Sequence, residues 1–180
     1  MTAKKARRRR KSNILLPDAM LDAHARAFPH AFDRNASLVL YAIRALAQRV
    51  NDRANEWLRP LGLNAAKYNY LAILYFSNGD GVTLNEISDL VHTSNAAVTS
   101  MVNALEGDGL ISRLENPDDG RSYVVALTAK GRSLFEQAVP IHHRHISRAM
   151  RSLTERERSL LIDLLVRISA GLLEEAEADS

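Results

Sequence analysis

Residues 83–131 read TLNEISDLVHTSNAAVTSMVNALEGDGLISRLENPDDGRSYVVALTAKG, and their order of caps, apolar stripes and turn residues decides the fold. Thr83-Leu84-Asn85-Glu86 has the pattern of a capping box: the hydroxyl accepts from a backbone N–H three residues on, and the carboxylate there reaches back. Leu84, Ile87, Leu90 and Val91 follow at helical spacing and predict a short helix with one apolar face. After a break at His92-Thr93, Ser94 is a second N-cap candidate, and Val98, Met101, Val102 and Leu105 form the apolar stripe of a second helix. Gly107-Asp108-Gly109 stops it, since glycine takes left-handed backbone angles without steric cost. Two short capped helices joined by a tight turn predict a helix-turn-helix. Leu110 to Glu115 and Tyr123 to Thr128 favour strands, and Asn116-Pro117-Asp118-Asp119-Gly120-Arg121 between them predicts a hairpin.

The second helix turns Asn95, Ala96, Thr99, Ser100 and Asn103 away from its apolar stripe, with no carboxylate before Glu106. A helix entering the major groove of DNA needs such a face, slim enough to approach base edges and carrying amides and hydroxyls that bond them. A merely solvated face would look the same in isolation; the hairpin that follows favours the DNA reading. Arg121 sits at the hairpin tip, where one arginine can enter a minor groove. Asp119 either braces that loop against an arginine or serves as turn chemistry.

These residues resemble the MarR family of bacterial transcriptional regulators. The matching marks are Ser94 and Val98-Thr99, then Leu105-Glu106-x-x-Gly109-Leu110-Ile111, then Asp119-x-Arg121, then Leu127-Thr128-x-x-Gly131. The resemblance runs from roughly Arg34 to Glu175. It implies that Asp119 stabilises the wing and Arg121 contacts the minor groove. Many relatives carry arginines on the recognition helix where this chain has Asn95 and Ser100, and His92 stands where a turn glycine is common. The resemblance therefore implies fewer charge contacts from this helix.

Outward from the module, Leu38, Tyr41, Ala42, Ala45, Leu46 and Arg49 lead to Trp57-Leu58 without glycine or proline, which predicts one long helix stopped by Pro60 and Gly62. Asn64 caps a shorter helix through Tyr68, Leu71, Ala72 and Tyr75. Thr128 starts a further helix with Pro140 inside it, and Thr154-x-x-Glu157 opens a last one striped by Leu160, Leu161, Leu164, Leu165, Ile168 and Leu172. The expected division is a basic arm and extension over 1–33, a long helix of the dimerisation region over 34–62, a winged helix-turn-helix lobe over 63–131, and C-terminal dimerisation helices with an acidic tail over 132–180. The fold class is mostly α with a small β-hairpin wing. Helices this long exceed what the lobe needs for its own core, so they either pack within the chain or against a second copy. A two-fold homodimer would set recognition helices about 34 Å apart on double-stranded DNA and demand a near-palindromic operator; the resemblance implies the same dimer.

Net charge is +3 over 180 residues, but Lys4, Lys5, Arg7, Arg8, Arg9, Arg10 and Lys11 hold seven of the 24 basic side chains. Without them the chain has 17 basic against 21 acidic residues, a net of −4. Such a block is either a solvated tail or a nucleic-acid arm that supplies non-specific attraction. There is no cysteine, no apolar run near the roughly 20 residues a spanning helix needs, and no signal-peptide core after the basic start. A soluble, cytoplasmic protein without a membrane partner is expected.

His142 and His145 lie i, i+3 on an expected helix, a spacing that suits zinc, but a site needs further ligands, so surface or interface histidines are the reading and no metal is expected. The resemblance implies a small-molecule effector, such as an aromatic acid, held between the dimer helices and the DNA-reading lobe. Arg34, Tyr41 and Arg44, with Tyr68 and Tyr70, are candidates for its carboxylate partner and aromatic walls, although Tyr41 and Tyr68 also suit a core and Arg34 a solvated helix start. No nucleophile elbow, Walker loop or zincin motif is present, so neither an enzyme nor a cofactor is expected. The expectation is a homodimeric, ligand-released repressor; the alternative is an architectural or adaptor protein that holds DNA loosely through its arm.

Overall fold

A computed structural model describes residues 17–77, 81–116 and 123–178. After a helix α1 (Asp18–Ala27), the long helix α2 runs Arg34–Leu58, started by Asp33, whose carboxylate accepts from the Asn35 and Ala36 N–H groups. A 3-10 turn, Arg59–Leu61, places Pro60 inside it and ends at Gly62 in the left-handed region, φ 71°, so proline and glycine stop α2 together. Asn64 then caps α3 (Ala65–Phe76) by accepting from the Lys67 N–H, while Asn55 of α2 accepts from the Ala65 N–H at 2.8 Å.

Helices α4 (Leu84–Val91) and α5 (Asn95–Gly107) follow, each behind its expected cap. Both halves of the Thr83–Glu86 capping box form. His92 ends α4 at φ 50°, ψ 52°, taking a left-handed conformation that usually falls to glycine. Strands β1 (Ile111–Glu115) and β2 (Tyr123–Leu127) pair antiparallel in the register Ile111↔Leu127 through Glu115↔Tyr123. Val82 adds a single bridge to Val125 at the outer edge of β2, which the sequence did not suggest.

Helix α6 (Ala129–Ala149) starts at Thr128 and carries Pro140 within it, and a 3-10 turn, Met150–Ser152, leads to α7 (Glu155–Ala178) behind the Thr154–Glu157 box. Pro140 has no N–H to give to the carbonyl of Glu136, so the helical ladder lacks a rung at that turn.

One core lies between α3, α4, α5, the hairpin and the first half of α6. Leu71, Ile87, Val98, Val102, Leu105, Val125 and Phe135 are fully buried in it. Leu90 departs from expectation: it is 61% exposed, because the inward face of α4 is narrower than its apolar spacing suggests and Ile87 alone is buried there. Outside this core, α2 and α7 leave large side chains open: Leu40, Leu46 and Val50 on one, Leu160, Ile162, Val166 and Leu173 on the other. Of the described residues, no helix is long and apolar enough to cross a membrane.

Helix α1 was not expected. It has no side-chain cap and one buried residue, Leu21. Its anchor is Arg34 at the start of α2, which donates to Asp22 at 2.5 Å and to Asp18 at 2.8 Å.

Candidate nucleic-acid interface and the seam behind it

Apolar burial of Val98, Val102 and Leu105 fixes the rotation of α5, and the opposite face is therefore open. Ser94, Asn95, Ala96, Ser100 and Asn103 are exposed and Thr99 is half-buried. Each has a local task except Ala96 and Ser100. Ser94 accepts from the Ala97 N–H at 3.4 Å, Asn95 donates to the Asn85 amide oxygen of α4 at 3.1 Å, and Thr99 donates back to the Asn95 carbonyl at 2.8 Å. The helix has one ionisable group, Glu106, which is drawn off the open face by an ion pair with Arg113.

Arg113 is the residue that sequence reasoning missed. From the middle of β1 it pairs with Glu106, donates to the Asn103 amide oxygen at 2.6 Å, and lies 5.0 Å from the centre of the Tyr123 ring on β2. It thereby fastens the hairpin to α5 on two sides. The only sequence signal was a lone basic side chain at the centre of a short strand.

The foot of the hairpin is equally fixed. Thr128 donates its N–H to the Leu110 carbonyl and its hydroxyl to the Gly109 carbonyl at 2.8 Å, and Lys130 reaches the Asp108 carbonyl at 2.6 Å. Gly131 is packed so closely that a Cβ there would lie 1.9 Å from the Leu110 carbonyl oxygen. Asp108 also pairs with Lys67 at 2.5 Å, tying this joint to α3. The arm residues Lys4, Lys5, Arg7, Arg8, Arg9, Arg10 and Lys11, and Asp119 and Arg121 at the wing tip, lie outside the described residues.

None of the five residues expected around an effector lines the seam cavity between α2, α3, α6 and α7. Arg34 holds Asp18 and Asp22, which raise its pKa through hydrogen bonding and charge. Tyr68 and Tyr70 are both 6% exposed and belong to the core; burial raises both phenols above their ordinary pKa. Tyr41 and Arg44 are on α2, Tyr41 being exposed.

A different set surrounds a cavity of about 760 Å³ in the seam between α2, α3, α6 and α7. Its walls are mainly aliphatic, with Trp57, Asn51, Asn69 and His142 as the groups bearing polar atoms. Trp57 stacks on His145 at 4.4 Å, nearly parallel, and His142 lies 4.3 Å from the Tyr68 ring. Burial, and then the neighbouring His143 and His145, hold His142 below the ordinary imidazole pKa. The i, i+3 pair His142 and His145 thus meets two different aromatic rings, and among the described residues no group of three His, Asp or Glu side chains could hold a metal.

The model of the MarR family matches residues 63–123. The HTH-type transcriptional regulator MhqR of Bacillus subtilis is 30% identical over 133 residues, covering 73% of this chain and 90% of that relative. A point mutant of MarR from E. coli, solved in complex with operator DNA, superposes with a TM-score of 0.65 at 28% identity, over 70% of this chain and 89% of that one. The transcriptional repressor CouR, bound to a 23-mer DNA duplex, gives a TM-score of 0.67 at 30% identity, over 74% and 94% respectively.

Proposed function

The chain belongs to the MarR family of DNA-binding transcriptional regulators, and from that premise we propose that it acts as a homodimeric, sequence-specific repressor released by a small ligand. The observation that carries the DNA reading is the open, uncharged face of α5, held in a fixed relation to the hairpin by Arg113. In this reading α5 enters the major groove, with Ala96 and Ser100 nearest the bases and Ser94, Asn95, Thr99 and Asn103 around them. Arg121, braced by Asp119, reaches the minor groove, and the basic residues of positions 4–11 supply phosphate contacts.

The dimer reading rests on the leucines and valines that α2 and α7 leave exposed, an area too apolar for an isolated surface. Residues 34–62 and 132–180 then form the dimer frame, 63–131 the reading lobe, and 1–33 the arm and extension. A ligand in the seam between frame and lobe changes DNA affinity only if it binds the DNA-competent and incompetent arrangements unequally.

The test is protection of the DNA upstream of the chain's own gene. A protected near-palindrome, lost in Ser100→Glu at unchanged stability, is expected, because a carboxylate at an exposed position facing the bases repels the DNA without disturbing the core. Binding that random DNA competes away equally would favour an architectural or adaptor protein, a reading for which the absence of basic residues on α5 speaks.

A further inference from the structure

We propose that His92, in the turn between α4 and α5, is a phosphate contact of the reading lobe that protonation of its ring switches on. This rests on the reading above that α5 enters DNA, and it adds the positive charge that α5 itself lacks. Residues 63–131 carry four lysines and arginines, Lys67, Arg113, Arg121 and Lys130, against eight carboxylates, a net of −4. Such a lobe is repelled by the phosphates flanking a groove unless a cation faces them. The lysines and arginine of its described part are already engaged: Lys67 with Asp108, Arg113 with Glu106 and Asn103, and Lys130 with the Asp108 carbonyl. Among the described residues of the lobe, His92 is the basic side chain that remains. It is exposed, and its imidazole has no hydrogen-bond, ion-pair or ring partner among the described residues.

The backbone of His92 points the same way. It stands at φ 50°, ψ 52°, a conformation that glycine takes without strain and histidine does not. The turn imposes it: the His92 N–H donates to the Asp89 carbonyl at 3.4 Å, the Thr93 N–H to the Ser88 carbonyl at 3.2 Å, and the Ser88 hydroxyl to the Thr93 carbonyl at 2.5 Å. Strain held by an over-determined turn collects at sites where the side chain is used. The position suits a phosphate, because His92 lies two residues before Ser94, the N-cap of α5. A recognition helix enters the major groove by its N-terminal end, beside which the sugar-phosphate backbone runs. Imidazole is the side-chain base whose charge ordinarily changes between about pH 5 and 8; neutral it donates one N–H, protonated it donates two and is positive. The charged and titratable groups on the elements around it are few. Helix α4 brings Asp89, exposed and three positions earlier, and Glu86, whose carboxylate Thr83 holds. Helix α5 brings Glu106, at its far end and paired with Arg113. Helix α3 brings Lys67, paired with Asp108, the buried Tyr68 and Tyr70, and Tyr75, which donates to Glu136.

The full-length protein is titrated, at about pH 6 and about pH 8, into labelled duplex of the DNA upstream of its own gene and into random duplex of the same length, with binding read by fluorescence anisotropy. The parent should bind both about tenfold more tightly at the lower pH, with a log–log salt slope steeper by about 0.9 for each protomer. A pH effect confined to the upstream duplex overturns the proposal, because a phosphate contact carries no sequence information. His92→Asn keeps a polar side chain that tolerates the left-handed backbone but takes up no proton. Its urea midpoint should equal or exceed the parent's, while its affinity near pH 6 falls about tenfold and its salt slope no longer changes with pH. His92→Lys carries the charge throughout and should bind near pH 8 as tightly as the parent does near pH 6. Parental pH dependence surviving in His92→Asn overturns the proposal, since other histidines then carry it. So does a parent whose affinity and salt slope are the same at both pH values. If the parent and both variants bind neither duplex at either pH, the DNA reading itself falls, a result distinct from binding that ignores pH.

Discussion

Gly131→Ala should destabilise the protein, although alanine is the better helix former. The residue is in the first turn of α6, where replacing glycine would ordinarily gain about 1 kcal/mol. Its φ is not positive, so backbone strain plays no part; the obstacle is the Leu110 carbonyl oxygen, 1.9 Å from where the new Cβ would stand. A backbone carbonyl cannot rotate away as a side chain would. Either the start of α6 or the foot of the hairpin must move by roughly 1.5 Å to restore ordinary contact, an overpacking cost of about 1–3 kcal/mol. The same movement strains the bonds from Thr128 to the Leu110 and Gly109 carbonyls, at about 1 kcal/mol each. Set against the helix gain, the net loss is about 2–4 kcal/mol. Urea unfolding at fixed protein concentration reads this as a lowered midpoint with unchanged slope. Gly107→Ala is the matched comparison, because nothing lies within 4 Å of a Cβ there, and it should leave stability equal or slightly raised. A Gly131→Ala midpoint at or above that of the parent would refute the close-approach reasoning.

Arg113→Met keeps the stem of the side chain but frees Glu106 and Asn103; stability should fall by about 1–2 kcal/mol, and fluorescence anisotropy should show a larger loss of affinity for the protected site than for random duplex. Removing residues 1–11 should weaken binding to all sequences alike and lower the log–log salt slope by about 0.9 for each phosphate no longer neutralised; an unchanged slope would exclude the arm from DNA. The Thr83 N–H and hydroxyl hold the Glu86 carboxylate below its ordinary pKa, so its contribution is present above the unfolded pKa and lost as pH falls through the folded one. Glu86→Gln should therefore be slightly less stable than the parent near neutrality, and the difference should close below the ordinary carboxylate range, about pH 4, in urea midpoints measured against pH.

The parts of the fold that were legible in the sequence are those fixed by local chemistry. Asn64, Thr83, Ser94, Thr128 and Thr154 each cap where their side chains can reach a neighbouring N–H, a decision made within four residues. Pro60 and Gly62 stop α2 for equally local reasons. Leu90 was misjudged because periodicity reports which residues share a face, and says nothing of how far the neighbouring core extends beneath it. Helix α1 has neither cap nor clear stripe, and Arg34 holds it by a contact spanning sixteen positions. The open side of α5 was legible, since burying Val98, Val102 and Leu105 dictates what remains outside. Arg113 and Trp57 were not, because their significance arises only when β1 folds onto α5 and when α2 meets α6.

Helix α6 serves both halves of the molecule, and Pro140 marks the border between them. Before it, Gly131 and Phe135 seat the hairpin; after it, His142 and Ile146 face the seam. The two segments are one continuous rod, so descendants of this chain are not free to change them separately. Drift in the residues that face the seam falls within two or three turns of the hairpin's footing, and the missing rung at Pro140 gives selection a place where such drift is partly absorbed.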